Sequence, residues 1–317
     1  MAEEKTYDVV IVGGGPGGLC AGMYSARANR KTVCLERYMP GGQIAVTEEV
    51  EDYPGFEHIT GSELAMKFAD HARKFGLEIQ SEEVEEVYVD GDDRVVRCAS
   101  GNLYRGKAVI LSTGGSPVKL GIPGEDTYSG KGVSYCAICD GAFFKNQVIA
   151  VVGGGDAAVE EGTFLTKFGS KVYIIHRRDK FRAQKIIQQR AFDNPKIEVI
   201  WDTVVESILG DDGKVSHLAL KNVRTSERSR LDVGAIFIFV GFHPNSDITR
   251  EKLRVDQGGY IITNDRMETS IKGIFACGDV RAQLVRQVTN AVGDGTTAAM
   301  AAEKYIEELE DRHAMRV

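Results

Sequence analysis

A buried strand that runs through a glycine turn into a helix occurs twice in this chain, and that repetition constrains the fold more than any other feature. Asp8-Val9-Val10-Ile11-Val12 has the continuous apolar character of a strand inside a parallel sheet. It leads into Gly13-Gly14-Gly15-Pro16-Gly17-Gly18, where the Gly-x-Gly-x-x-Gly register falls on Gly13, Gly15 and Gly18. A helix from Leu19 to about Arg27, a strand from Lys31 to Leu35 and the acid Glu36 complete the unit. Glycines at those places permit a tight turn and close approach of backbone to a pyrophosphate, whose charge the helix N-terminus favours. Glu36, at the end of the next strand, is placed to accept hydrogen bonds from a ribose. Gly13, Gly15, Pro16, Gly18, Glu36 and the neighbouring Arg37 are therefore candidate dinucleotide-binding residues.

The pattern returns at Val148-Ile149-Ala150-Val151-Val152, followed by Gly153, Gly155, Asp156 and Ala158, with alanine in the third place. A helix is expected from about Val159 to Phe168, with Gly169 as a left-handed cap, and then a strand from Lys171 to Ile175. Eighteen positions separate Gly18 from Glu36, and eighteen separate Ala158 from His176. The acid of the first unit is thus replaced by His176-Arg177-Arg178, with Lys180 and Arg182 close behind. A carboxylate there repels a 2′-phosphate, whereas guanidinium groups clamp it. The first unit is expected to take an unphosphorylated adenosine ribose. The second is expected to take NADP through Gly153, Gly155, Asp156, Ala158, His176, Arg177, Arg178 and Arg182.

A second echo points to internal duplication. Val109 to Pro117 and Ile236 to Pro244 each read as a buried strand ending in glycine and then proline, and as a crossing between domains. The tail after Pro244 holds a strand from Gly273 to Cys277, then Gly278-Asp279, then a helix from about Thr289 to Leu309. That is too little for an independent domain, so it is expected to return to the first module. The fold class that follows is α/β, with two Rossmann-like three-layer dinucleotide-binding domains, one inserted into the other. The expected boundaries are 1–117 and 245–317 for the split domain and 118–244 for the inserted one. Val84 to Asp93, with its acidic turn, reads as a solvated hairpin within the first domain.

At 317 residues, with 43% hydrophobic and 27% charged residues, the chain has the composition of a soluble globular protein of two ordinary domains. A net charge of −7 argues against a general nucleic-acid role. No apolar run approaches the roughly 18 residues of a membrane span. Met1-Ala2-Glu3-Glu4-Lys5 runs directly into a strand, so no signal peptide and a cytoplasmic location are expected. Of six cysteines, only Cys136 and Cys139 are close in sequence, whereas a four-cysteine zinc site needs two such pairs. No metal is expected. Cys20 and Cys34 read as buried small hydrophobes. A Cys-x-x-Cys pair at a helix start can carry one unusually acidic thiol, because the helix dipole favours thiolate. In a cytosolic setting a surviving disulfide is usually catalytic.

Together these motifs resemble the low-molecular-weight thioredoxin reductases of the pyridine nucleotide–disulfide oxidoreductase superfamily. The resemblance rests on Gly13 to Gly18, Gly41-Gly42-Gln43, Cys136-Ala137-Ile138-Cys139-Asp140-Gly141, His176 to Ala183, and Gly278-Asp279 followed by Arg286-Gln287. It covers nearly all the chain. It implies noncovalent FAD in the split domain, NADPH in the inserted one, thioredoxin as protein partner, and a homodimer. It further implies Gly42, Gln43, Thr113, Gly114, Gly278, Asp279, Arg286 and Gln287 around the flavin, Cys139 facing it, and Asp140 as acid or base. The implied reaction has NADPH reduce the flavin, the flavin reduce a Cys136–Cys139 disulfide, and the dithiol reduce thioredoxin. Two residues depart from the pattern: Ile138 stands where threonine is common, and Asp52 where many relatives have asparagine. Because the cysteine pair and the second turn share the inserted domain, that domain is expected to swing about hinges near Ser116-Pro117 and Gly241 to Pro244.

Three other functions compete. The flavoprotein of a peroxiredoxin-type system shares these motifs but usually carries an extra N-terminal thioredoxin-like domain, whereas here the first fingerprint starts by residue 13. Dithiol oxidases of this fold tend to lose NADPH binding, and the basic patch here is intact. A noncatalytic flavin-bound redox sensor is the reading from a different class. It would be reduced once, where an enzyme turns over.

Overall fold

A computed structural model describes residues 3–47, 49–249 and 251–315, apart from the side chains of Val46, Glu49, Cys139 and Phe242. The chain divides into two compact units, Met1–Ser116 with His243–Val317, and Pro117–Phe242.

In the first unit, β1 (Glu4–Val12), β2 (Thr32–Glu36), β3 (Glu78–Ser81), β4 (Val84–Asp90), β5 (Asp93–Cys98) and β6 (Leu103–Leu111) form a sheet in the order β3-β2-β1-β6-β5-β4. Strand β6 is shared along its length. Its first half pairs antiparallel with β5, and Val109 to Leu111 pair parallel with the late strand Ile274–Ala276. Side chains alternate across a strand. Val9 and Ile11 accordingly join Leu19, Ile110, Phe275 and Ile306 in one core layer. Val10 and Val12 join Leu35, Val87, Val96 and Val109 in the other. Both faces are covered, which is why β1 reads as apolar throughout. Each such fully buried aliphatic contributes about 1.5–3 kcal/mol over its exposed state. On one face α1 (Pro16–Arg27) lies against the C-terminal helix (Val288–Ala314). They meet at glycine: a Cβ on Gly295 would collide with the Gly17 carbonyl.

The second unit is built on five parallel strands. These are β7 (Val133–Ser134), β8 (Val148–Gly153), β9 (Lys171–Ile175), β10 (Ile197–Ile200) and Ala235–Phe239, with the last lying between β7 and β8. Ile149 and Val151 face helices α4 (Asp156–Leu165) and α5 (Lys185–Phe192) through Val159, Leu165 and Ile187. Ala150 and Val152 face an antiparallel sheet of Thr203–Asp211, Lys214–Asn222 and Arg228–Asp232 through Val205, Leu218 and Leu220. Each unit is therefore a three-layer α/β structure. No helix among the described residues is long and apolar enough to cross a membrane.

Four expectations are corrected. The hairpin continues past Asp93 to Cys98, and Val87, Val95 and Val96 are buried, so it is an integral edge of the sheet rather than a solvated ribbon. Acidic residues mark only its outward face. Helix α4 starts and ends three residues earlier than expected, at Asp156 and Leu165. Gly169 is no left-handed cap, since its φ is not positive. Its N–H donates to Leu165 O at 2.9 Å, and a Cβ there would press on Ile149, so close packing is what calls for glycine. The C-terminal helix runs longer than expected, from Val288 to Ala314.

Candidate functional site

The first glycine turn is closed by backbone contacts that leave one face open. Gly13 adopts φ 99°, and a Cβ there would collide with the Ser112 carbonyl. A Cβ on Gly18 would collide with the Gly13 carbonyl. Gly15 differs: a Cβ there would meet nothing within 4 Å, and it is the N-cap of α1 with no side chain capping the helix. That bare backbone with unpaired helix N–H groups fits a diphosphate. Glu36 is engaged on both oxygens, accepting from Gly14 N at 2.7 Å and from Tyr38 N at 2.9 Å. It stitches the turn to the end of β2. Arg37 is exposed and pairs with Glu83 at 3.2 Å.

Other expected residues gather at the same carboxyl ends of the sheet. Gly41 N donates to Gly14 O at 2.7 Å, and a Cβ on Gly42 would approach Gly15 Cα at 3.1 Å, so the 3₁₀ turn that starts at Gly42 holds the exposed Gln43 beside the glycines. Thr113 and Asn245 exchange two hydrogen bonds, from Thr113 Oγ1 to Asn245 O at 2.7 Å and from Asn245 Nδ2 to Thr113 O at 2.8 Å. Gly114 follows at φ 58° and faces open space. Gly278 (φ 71°) opens the 3₁₀ turn carrying Asp279. Burial raises the Asp279 carboxyl above its ordinary range, while Arg286 pulls it back. Arg286 itself lies 4.0 Å over the Tyr260 ring, and Gln287 is the N-cap of the C-terminal helix. Asp52 is exposed.

The second turn keeps the geometry and changes the chemistry. Gly153 sits at φ 154°, and a Cβ there would collide with the Phe239 carbonyl and the Ala158 side chain. Gly155, N-cap of α4, faces open space as Gly15 does. The His176 ring packs against Gly154, where a Cβ would collide with it. It also lies among Phe181 and Trp201 with centroids at 5.7 and 6.2 Å. Burial pushes the His176 pKa down, so the ring is neutral and acts as packing rather than as a cation. The following loop folds over the turn: Arg182 N donates to Gly154 O at 2.7 Å, and Gln184 N to Asp156 Oδ1 at 2.7 Å. Arg177, Arg178 and Arg182 are exposed.

In the same unit Cys136 is disulfide-bonded, whereas Cys20, Cys34, Cys98 and Cys277, all in the first unit, are buried free thiols. The side chain of Cys139 lies outside the described residues, and with it the expected Cys136–Cys139 bond. The helix there, α3 (Ala137–Asp140), is a single turn followed by a 3₁₀ turn, so its dipole is smaller than a Cys-x-x-Cys helix start implied. Asp140 accepts from Ser134 Oγ at 2.6 Å.

The profile of the pyridine nucleotide-disulphide oxidoreductases matches residues 7–295. The chain belongs to that family. Among its relatives is a thioredoxin reductase of Bacillus subtilis (strain 168), 49% identical over 311 residues that cover 98% of each chain. The crystal structure of Lactococcus lactis thioredoxin reductase in its FR conformation superposes with a TM-score of 0.93 at 50% identity, over 95% of this chain and 99% of that one. Thioredoxin reductase of T. acidophilum gives 0.91 at 33% identity, over 96% and 99%. An oxidoreductase with the two-domain dinucleotide-binding fold is thereby established.

Membership of the pyridine nucleotide-disulphide oxidoreductases directs attention to residues that motif reading missed. Asp294, 7% exposed within the C-terminal helix, accepts from Gly278 N at 3.1 Å and from Arg281 NH1 at 2.9 and 3.0 Å. Gln283 Nε2 donates to Gly278 O at 3.0 Å, and Asn290 Nδ2 to Gln283 Oε1 at 2.6 Å. This network clamps the Gly278-Asp279 turn from both sides. Its only sequence signal was a charged residue inside an alanine- and glycine-rich helix.

Proposed function

We propose that this chain is an NADPH-dependent thioredoxin-disulfide reductase that holds FAD noncovalently and works as a cytoplasmic homodimer with thioredoxin as its protein substrate. The observation that carries this reading is the bonded Cys136 beside Asp140, in the same unit as the arginine-flanked turn. When bound, FAD and NADPH supply the two-electron transfer that opens the disulfide. The open faces at Gly15 and Gly114, with Gly42, Gln43, Asp279, Arg286 and Gln287, hold the flavin dinucleotide. The open Gly155 face takes the second diphosphate, and Arg177, Arg178 and Arg182 hold the 2′-phosphate by charge-assisted bonds. Cys136 and Cys139 alternate between disulfide and dithiol, and Asp140 delivers or removes the proton at sulfur.

Chain order adds a movement. The cysteines and the second turn lie in one unit, the first turn in the other. The inserted unit therefore turns about its crossings at Ser116-Pro117 and Phe242-His243 to present each in succession. Oxidation of NADPH by the flavin-loaded protein, with and without thioredoxin, tests the activity: catalytic turnover only with thioredoxin is expected. A single stoichiometric reduction would replace this reading with that of a sensor. Cross-linking the two units in one orientation should stop turnover, and full activity in a verified cross-linked sample would exclude the movement.

A further inference from the structure

Ser134 ends β7, is buried, and lies two residues before Cys136. Its Oγ is 3.1 Å from Cys136 N, 3.2 Å from Cys136 O and 2.6 Å from Asp140 Oδ2. The Cys136 N–H can only donate, so it takes one hydroxyl lone pair. The single hydroxyl proton then has two acceptors before it. The 2.6 Å contact has the length of an O–H donating to a carboxylate, so with Asp140 ionised the proton points there. If Asp140 takes up a proton, its O–H donates to the second lone pair of Ser134, whose own proton swings onto Cys136 O. A hydroxyl offers one donor and two acceptor sites, and only the protonated arrangement fills all three.

We infer that Ser134 is a positioning residue that ties Asp140 to the backbone of Cys136 in both protonation states of the acid. The inference rests on the reading of Asp140 as the proton carrier of the cysteine pair. With the hydroxyl in place, Asp140 gains or loses its proton without moving a heavy atom and without leaving a buried polar group unpaired. Such a group would otherwise be expensive. Helix α4 packs against α3 and brings the acids Asp156, Glu160 and Glu161, while the 3₁₀ turn Gly141–Phe144 brings no charge. Those acids act alike on wild type and serine variants, so a difference between the two isolates the hydroxyl.

The test is an infrared pH titration of the oxidised holoenzyme, with the Asp140 carboxylic-acid band assigned by its loss in Asp140→Asn. Ser134→Ala should move the midpoint to higher pH by about one unit, a roughly tenfold tighter hold on the proton, because the charge-assisted bond to the carboxylate is gone. Ser134→Thr should restore it. Ser134→Gly carries the same test if alanine prevents folding. Reduction of thioredoxin should fall roughly tenfold in Ser134→Ala, and adding Ser134→Ala to Asp140→Asn should cost nothing further. An unmoved midpoint in both hydroxyl-free variants would overturn the inference. Wild-type thioredoxin reduction by Asp140→Asn alone would instead remove the acid role, leaving the infrared result to decide what Ser134 holds.

Discussion

The two glycine turns share their spacing and differ in what closes them. In the first, Glu36 accepts the Gly14 N–H, Gly13 turns tightly at φ 99°, and the third glycine lies against the Gly13 carbonyl. In the second, the buried His176 ring packs on Gly154, and the absence of a Cβ on Gly153 leaves room for the Ala158 side chain. A carboxylate and a buried ring thus do the same stitching with opposite electrostatic consequences. One leaves a carboxylate at the end of β2. The other leaves the adjoining Arg177 and Arg178 as the nearest charges following the strand. On the proposed reading, coenzyme discrimination is set outside the turn, by the residues after the second strand, while the turn itself supplies only bare backbone.

The largest expected effect probes a buried ion pair behind a glycine turn, which the first unit has in Arg281 and Asp294 and the second lacks among its described residues. Asp294→Ala strands the Arg281 charge and the Gly278 N–H, and should cost about 3–5 kcal/mol. The single tryptophan, Trp201, belongs to the second unit. Chemical denaturation should thus show far-ultraviolet circular dichroism lost early in this variant while the Trp201 fluorescence midpoint stays put. Coincident shifts would mean that the two units do not differ in this way.

Exchanging the third position comes next. Gly18→Ala drives a Cβ into the Gly13 carbonyl and should cost about 3 kcal/mol, read as loss of the yellow flavin on gel filtration. Ala158→Gly relieves no clash and should cost only about 1 kcal/mol, from helix propensity. Equal costs would erase the distinction between the third positions of the two turns. Arg177→Ala with Arg178→Ala should then raise the Michaelis constant for NADPH roughly ten- to a hundredfold and leave that for NADH nearly unchanged. Equal changes for both coenzymes would take these arginines away from the 2′-phosphate.

The smallest effect concerns His176. Its pKa in the folded chain lies below the ordinary 6.5, because burial penalises the charged ring. The unfolded chain therefore binds a proton first as pH falls. Stability from this group is fully present above pH 6.5 and declines as pH drops from there toward the folded value. His176→Gln should flatten the slope of the Trp201 unfolding midpoint between neutral and mildly acidic pH. An unchanged slope would mean that another group sets it.

Much of this was legible without coordinates. Val9 to Val12 and Ile149 to Val152 announced buried parallel strands because both faces of each strand are covered, and glycine spacing announced the turns because only a missing Cβ permits them. Ends of elements were read less well. Gly169 looked like a cap because glycine after a helix often is one, but here close packing against Ile149 governs its presence. His176 occupies the place that the acid Glu36 holds in the first unit, and only the structure shows its ring buried against Phe181 and Trp201 while Arg177 and Arg178 are exposed.

The chain's own letters determined the two turns, the exchange of an acid for basic residues eighteen positions beyond each, and the single close cysteine pair. These are local patterns, carried by periodicity and by backbone conformations open only to glycine. Tertiary structure alone decided that Asp294 reaches Gly278, that Asn245 locks Thr113 across 132 positions, and that the Ser134 hydroxyl turns toward Asp140. Hydrogen bonds of that kind depend on which side chains face one another once the layers have packed, and no spacing along the chain records it.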